Sequence, residues 1–190
     1  MKNTLRTLAL GTLIPFIIFP TNSPAKDKHH DDPYVQGPDG ESGLVREVRH
    51  RLVMLPYYGV FDDIGFNVNG GTVTLVGQVR QPVLKADADT TVRKIEGVTN
   101  VVNNLEVLPL SPQDDRVRRD VYRAVFGAPG MGDRYGFSAV PSIHIIVKNG
   151  NVRLEGVVAN EFDRNIINIK ARGVPGAFSV ENGLQIEAKK

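Results

Sequence analysis

The stretch NGGTVTLVGQV, from Asn69 to Val79, is repeated as KNGNVRLEGVV, from Lys148 to Val158. Between the two copies, glycine and apolar residues recur at the same places: Gly71/Gly150, Val73/Val152, Leu75/Leu154, Gly77/Gly156 and Val79/Val158. Alternating apolar residues on both sides of two turn residues, Gly-Gly or Asn-Gly, predict a β-hairpin with a tight turn. The chain therefore contains two copies of one small unit.

The four repeated glycines are predicted to have structural roles. Gly71 and Gly150 occupy the turn, where glycine accepts a positive φ without steric cost. Gly77 and Gly156 lie on the strand face that helices must cover. The absence of a side chain at these two positions would let a helix approach the sheet closely.

Each copy follows the order helix, strand, strand, helix, strand. Residues 68–107 align without a gap on residues 147–186, and apolar residues at helical spacing precede both hairpins. Pro82 begins the second helix of the first copy, and Gly97 ends it. The predicted fold class is α+β: two tandem αββαβ domains, each a small three-stranded mixed sheet covered by two helices.

The N-terminal segment is predicted to be a secretory signal peptide. Residues 1–25 combine a positive start, an apolar run too short to span a bilayer and small residues before an expected cleavage site after Ala25. Residues 26–43 are polar and turn-rich and predict a flexible linker, followed by domains at residues 44–110 and 111–190. The chain has no cysteine, which excludes both a disulfide framework and a lipid anchor on cysteine. We expect a periplasmic protein.

Charge is balanced once the expected signal peptide is removed. The 23 Lys and Arg residues include two in that segment, which leaves 21 against 21 Asp and Glu residues. Residues 113–190 hold a modest surplus of 12 basic over 9 acidic residues. Nucleic-acid binding requires a stronger basic stripe, so we expect no nucleic-acid partner.

Residues able to carry out catalysis are scarce. Neither a nucleophile elbow nor a phosphate-binding loop is present, so we predict a non-enzymatic protein with no cofactor. The HHDD stretch at residues 29–32 could hold a divalent metal, but it lies in the linker without supporting residues, and no metal site is predicted. His144 is expected on the solvent face of its strand. Asn103 and Asn182, on the inward face of the last strands, should bond to backbone at neighbouring loops.

The opening helix of the second copy is the main candidate binding element. Its valines face the core, whereas three arginines lie opposite them with Tyr122 and Phe126 alongside: Arg116, Arg119 and Arg123. Arginines next to aromatic rings suit an anionic membrane surface. The glycine-rich insertion that follows supplies three accessory candidates: Met131, Arg134 and Tyr135. The alternative is a solvated helix face with Phe126 covered by the following loop.

The second helix of that copy carries a surplus apolar stripe, formed by Phe162, Ile166 and Ile169. The stripe lies about 150° around the helix from the residues expected to face their own sheet. The aligned residues of the first copy do not form such a stripe: Val83, Asp87 and Thr90. We predict that the stripe contacts the first copy or a partner protein. The alternative is a shift in register that places it in its own core.

These patterns resemble the BON domain family. The likeness lies in the hairpin phrase V.GG.V.L.G.V followed by a helix and GV..VVNNLEV, and in the second phrase V.NG.V.L.G.V. It covers residues 44–187 and is similar to osmotically inducible and outer-membrane-maintenance proteins of the periplasm. The resemblance implies a role in envelope stress and, in some members, binding of anionic phospholipid by the second domain. Pro175 and the insertion depart from the usual family pattern.

Two functions are therefore expected. The first is a non-enzymatic envelope-maintenance or stress protein that binds anionic phospholipid surfaces peripherally, mainly through its second domain. The alternative is a periplasmic chaperone or adaptor that binds envelope proteins through an apolar surface. The sequence leaves open the lipid, the protein partner, the inducing stress and the oligomeric state.

Overall fold

The computed structural model describes residues 43–138 and 140–187. The expected signal peptide and nearly all of the expected linker lie outside the described residues. The first copy comprises α1 (Gly43–Val53), β1 (Asp63–Asn69), β2 (Thr72–Val79), α2 (Pro82–Arg93), β3 (Asn100–Asn103) and β4 (Glu106–Val107). The second comprises α3 (Pro112–Phe126), a π-helical turn (Gly132–Gly136), β5 (Ile143–Lys148), β6 (Asn151–Val158), α4 (Glu161–Arg172), β7 (Ser179–Asn182) and β8 (Gln185–Ile186). The predicted α+β fold with two αββαβ units is confirmed.

Each copy has a mixed sheet built around its second strand. β1 runs antiparallel to β2, while β3 and β4 both pair with β2 in parallel. The second copy repeats this topology with β5 antiparallel to β6, and with β7 and β8 parallel to β6. β3 and β4 are thus the two halves of the single last strand expected from the sequence, and β7 and β8 correspond to them.

Asparagine side chains bridge the breaks in the last strands. Asn103 Nδ2 donates to Lys85 O at 2.9 Å, and Asn103 Oδ1 accepts from Leu105 N at 3.2 Å. Asn182 makes the equivalent pair of bonds, with Arg164 O and Leu184 N. The expected backbone partners are confirmed, but they belong to the covering helix and the broken strand itself. The amide compensates for backbone hydrogen bonds that the break removes.

The hairpin turns have the expected geometry. In the first turn, φ is +54° at Gly70 and +85° at Gly71; in the second, it is +53° at Asn149 and +75° at Gly150. Positive φ at both central positions is the requirement of a type I′ turn, whose twist matches that of the flanking strands. The repeated turn glycines are therefore explained by backbone conformation.

The predicted reason for the other two glycines was wrong. Gly77 and Gly156 adopt φ of +118° and +114°, which side-chain-bearing residues rarely reach. A Cβ at Gly77 would fall on the carbonyl oxygen of Asp63, and one at Gly156 on that of Ser142. Glycine is needed because a neighbouring backbone approaches closely, rather than because a helix does.

Each copy encloses its own hydrophobic core. In the second copy the core joins valines of α3, strand residues such as Ile145 and Leu154, and Ile167 and Ala171 of α4. The insertion between α3 and β5 adds Met131 and Tyr135 to this core. α3 and α4 pack against each other and against the same sheet, so they form one helical layer.

The two copies meet through a loop of the first copy, residues 57–62, which lies along β5. Ile145 N donates to Val60 O at 2.7 Å, so the loop occupies the outer edge of β5. Val60 and Phe61 pack against the core of the second copy. A strand edge that would otherwise be open is covered by the other domain.

Candidate functional site

The exposed face of α3 is the candidate site, and local sequence explains why the helix forms. Ser111 caps its N-terminus by accepting a hydrogen bond from Asp114 N at 3.1 Å, and Pro112 occupies the first turn. Val117, Val121 and Val125 are fully buried against the sheet. The residues on the opposite side of the helix are consequently held in solvent.

An arginine ridge runs along this exposed face, formed by Arg116, Arg119 and Arg123. Arg123 Nη1 lies 3.0 Å from Asp120 Oδ1, and the Arg123 side chain is 71% exposed. Within the described part of the chain, Arg116 and Arg119 have no ion-pair partner. A surface pair such as Arg123–Asp120 contributes little and exchanges readily for another anion. The ridge can therefore present positive charge to an anionic surface.

An aromatic cluster borders the arginine ridge on one side. The rings of Tyr122 and Phe126 lie 4.6 Å apart, and Tyr122 meets Phe61 edge-on at 6.1 Å. Tyr122 is 37% exposed, whereas Phe126 packs partly on the core. Phe61 comes from the first copy, and sequence reasoning missed it because nothing in a loop sequence shows where the loop will dock.

Two of the predicted accessory residues are unavailable for binding. Met131 is fully buried and Tyr135 is 8% exposed, because the insertion folds back as a π-helical turn and fills the second core. Arg134 remains partly exposed, but its Nη1 bonds to Asp163 Oδ2 at 2.6 Å. The prediction that the insertion supplies accessory binding residues was wrong for Met131 and Tyr135.

Tyr135 anchors the insertion to the start of α4. Its hydroxyl donates to Asp163 Oδ2 at 2.6 Å and accepts from Ala159 N at 3.0 Å. Burial and then the hydrogen bond to Asp163 raise the pKa of Tyr135 above its ordinary value. Asp163 is itself fully buried, and its N–H is capped by Asn160 Oδ1 at 2.9 Å. These contacts indicate a structural role.

The apolar stripe of α4 does not contact the first copy. Phe162 and Ile169 are 69% and 66% exposed, and Ile166 packs partly on its own core. The first copy docks at β5 instead, so the interdomain half of this prediction was wrong. Contact between the stripe and a partner outside the chain stays a prediction.

His144 lies between the two copies and is 1% exposed. Its ring nitrogens lie 3.2 Å from Gly59 O and 3.2 Å from Pro141 O, and its ring stacks on Tyr58 at 5.6 Å. The expectation of a solvent-facing histidine was wrong because the first copy covers that face of β5. Strand alternation indicates which face a residue occupies, but not what covers the face.

Polar side chains complete the contact between the copies. Arg153 Nη2 lies 3.1 Å from both Asp63 Oδ2 and Gln78 Oε1 in the first copy. Lys148 Nζ donates to Glu106 Oε1 at 2.5 Å. The Lys148 ammonium and the Gln78 amide lower the pKa of Glu106. The two copies thus share a polar contact beside the apolar contact of Val60 and Phe61.

Residues 43–138 and 140–187 contain no group of three or more His, Cys, Asp and Glu residues placed to hold a metal ion. The HHDD stretch lies outside the described residues. Among the helices described, none combines the length and the apolar character needed to cross a bilayer. The described surface can bind through the positive charges of the arginine ridge and through the exposed apolar side chains beside it.

Comparison with known proteins gives one family. The family model described as "BON domain" matches residues 42–109 and, separately, residues 113–188. No curated protein matches the chain. A structure of the C-terminal domain of CdsD, a structural protein of the type III secretion system of Chlamydia trachomatis, is similar at 13% identity and a TM-score of 0.31, covering 78% of this chain and 99% of that one. A second CdsD structure has 14% identity and a TM-score of 0.30, covering 76% and 92%. Likeness at this level indicates nothing about function.

Proposed function

The chain belongs to the BON domain family, with two adjacent BON domains, and we propose that it is a non-enzymatic peripheral protein of the periplasm that binds anionic phospholipid surfaces through its second domain. The family is linked in general to phospholipid binding and envelope stress. The proposed role is envelope maintenance at the outer membrane under stress, including osmotic stress.

One observation carries the proposal: Arg119 and Arg123 are exposed on the face of α3 that also presents Tyr122. Each basic side chain near an anionic bilayer contributes about 1 kcal/mol of attraction. Aromatic rings favour the boundary between headgroups and acyl chains, because one part of such a ring is apolar and another polar. The rigid helix holds both kinds of side chain on one surface.

The proposed location depends on export. Residues 1–25 have the pattern of a signal peptide, so we propose that the mature protein begins at Lys26. N-terminal sequencing of the exported protein tests this cleavage site directly. Recovery of Met1 on the exported protein would contradict it.

The lipid proposal is tested by sedimentation with vesicles of phosphatidylglycerol mixed into phosphatidylcholine, at two salt concentrations. The wild type should bind in proportion to the anionic lipid and more weakly at high salt, since screening shortens to about 8 Å at physiological ionic strength. The double variant Arg119→Glu, Arg123→Glu should bind at least about tenfold more weakly, because at least about 2 kcal/mol of attraction is removed.

The matched control changes the same amount of charge in the first domain. Arg46 aligns with Arg119, and Arg51 lies on the same helix; both are exposed. The variant Arg46→Glu, Arg51→Glu should keep most of the affinity. Equal weakening by the two double variants would show that only net charge matters, and unchanged binding by the α3 variant would contradict the proposed surface.

A second candidate function is a periplasmic chaperone or adaptor that binds envelope proteins. The exposure of Phe162 and Ile169 favours it, because large apolar side chains in solvent often mark protein contacts. The vesicle experiment separates the two candidates. A wild-type protein that binds no vesicle at either salt concentration would favour the adaptor.

A further inference from the structure

The apolar stripe of α4 and the arginine ridge of α3 belong to one surface. α3 and α4 lie side by side on the same sheet and bury residues in the same core, so their outward faces point in the same general direction. A groove of about 630 Å³ separates them, and both Arg123 and Ile169 line it. Arg123 of the ridge and Ile169 of the stripe are therefore neighbours across this groove.

The charges around the stripe favour an anionic partner. Lys170, next to Ile169, is exposed and lines the same groove. The acidic residues near the stripe are paired or buried: Asp120 pairs with Arg123 at 3.0 Å, the exposed Glu161 beside Phe162 pairs with Arg164 at 3.4 Å, and Asp163 is fully buried. Ile169 is thus bordered by two cations, Arg123 across the groove and Lys170 next to it.

The first domain provides an internal comparison. At the positions aligned with Phe162, Ile166 and Ile169, helix α2 carries Val83, Asp87 and Thr90. A carboxylate and a hydroxyl there would be repelled by, or indifferent to, an anionic bilayer surface. Ile166 packs partly on the core of its own domain, but Phe162 and Ile169 are exposed, so packing does not explain why these two positions are apolar.

We propose that Phe162 and Ile169 are hydrophobic anchors that enter an anionic bilayer while the arginines of α3 bind its headgroups. The inference rests on the proposed function and extends it to a second helix. The two side chains are seven residues apart, about 10 Å along the helix, so α4 lies parallel to the membrane plane when both enter. A bilayer suits this arrangement because isolated apolar side chains flanked by cations match the interface between headgroups and acyl chains.

Tryptophan fluorescence tests whether the residue at position 162 enters the acyl-chain region of the bilayer. The chain contains no tryptophan, so a single introduced residue reports without background. In the Phe162→Trp variant, anionic vesicles should shift the emission to shorter wavelength, and brominated acyl chains should quench it. The matched control is Val83→Trp, at the aligned and 44% exposed position of the first domain, where neither effect is expected.

Affinity provides the second measurement. The variant Phe162→Ser, Ile169→Ser should bind anionic vesicles at least about tenfold more weakly than the wild type, because two large apolar side chains no longer leave water. Its salt dependence should match that of the wild type, since the arginines remain. Both side chains are exposed, so the thermal unfolding transition should be nearly unchanged and confirms that the variant is folded.

The outcomes separate this inference from the proposed function. One outcome is that the wild type binds vesicles, the Phe162→Trp variant is not quenched and the serine variant keeps its affinity. That outcome would show that Phe162 and Ile169 are not anchors, and binding through the arginines would still stand. Absence of wild-type binding to anionic vesicles would overturn the proposed function and the anchors together. Quenching at position 162 with weakened binding of the serine variant supports both.

Discussion

At the scale of single residues, Gly156 and Gly77 show how closely two strands can approach when one side chain is absent. Both have a positive φ, and a Cβ would meet a backbone carbonyl oxygen in each case: that of Asp63, the first residue of β1, or that of Ser142, just before β5. The repeated sequence marked these glycines as structural, but the reason lies in a contact across the hairpin. Local sequence does not show such a distance.

We expect Gly156→Ala to destabilise the protein by about 2 kcal/mol or more, from strain at positive φ and from the clash with Ser142 O. The control is Gly70→Ala, where φ is +54° and no atom lies within 4 Å of the new Cβ. That change should cost roughly 1 kcal/mol from backbone strain alone. Urea unfolding of both variants makes the comparison, and equal losses would contradict the clash.

The free energy of unfolding at alkaline pH depends on the hydroxyl group of Tyr135. Its pKa is raised in the folded protein, chiefly by burial and then by the bond to Asp163, from an ordinary value of 10.0. Stability from the neutral hydroxyl is fully present below that ordinary value and is lost as pH rises through the higher folded pKa. The free energy of unfolding of the wild type should therefore fall above about pH 10 more steeply than that of Tyr135→Phe.

At neutral pH, the Tyr135→Phe variant should be less stable than the wild type. Removing the hydroxyl leaves Ala159 N without its acceptor and removes one donor to buried Asp163, which should cost about 1–3 kcal/mol. Chemical unfolding at a series of pH values from 7 to 11 measures both effects. A constant difference between wild type and variant over that range would contradict the linkage to Tyr135.

At the scale of elements, one carboxylate joins α3 to the β5–β6 hairpin. Asp114 is 1% exposed and accepts from Asn149 N at 2.9 Å and from Gly150 N at 2.8 Å, one bond to each oxygen. A carboxylate in the first turn of a helix also suits the helix dipole. The structure adds that it satisfies the two backbone amides of a type I′ turn.

We expect Asp114→Asn to destabilise the second domain by about 1–3 kcal/mol. An asparagine has one acceptor oxygen, so one of the two turn amides would face an NH₂ group and stay unpaired. The control is Asp120→Asn on the exposed face of the same helix, which should change stability by less than about 0.5 kcal/mol. Thermal unfolding of the two variants measures the difference; similar losses would show that only helix charge matters.

At the scale of the whole molecule, the contact between the domains joins an apolar and a polar part. Val60 and Phe61 enter the second domain, while Arg153 bonds to Asp63 and Gln78. Phe61 also borders Tyr122 on the proposed binding surface. The first domain therefore supports one side of that surface without supplying its arginines.

We expect Phe61→Ser to leave both domains folded but to loosen their relative orientation, because each domain keeps its own core. NMR relaxation should report two domains tumbling more independently than in the wild type. The control is Tyr57→Ser in the same loop, where the side chain is 71% exposed. Rigid tumbling of the Phe61→Ser variant would show that the remaining contacts suffice to hold the domains.

The sequence alone determined the order of elements, the two hairpin turns, the start of α2 at Pro82 and the exposed arginines of α3. These features depend on periodicity, backbone conformation and capping, which act over a few residues and are visible in a single stretch. The resemblance to the BON domain family was drawn from the same repeated phrases, and the family model matches both copies, residues 42–109 and 113–188.

Only the tertiary structure decided what covers each surface. The insertion fills a core with Met131 and Tyr135, and a loop of the first domain buries His144 and brings Phe61 beside Tyr122. In the tertiary structure Phe162 stays in solvent, whereas the sequence had suggested a contact with the first domain or with a partner protein. Burial by distant parts of a chain depends on the match between whole surfaces in three dimensions. The periodicity of a short stretch of sequence does not show which distant surfaces fit together.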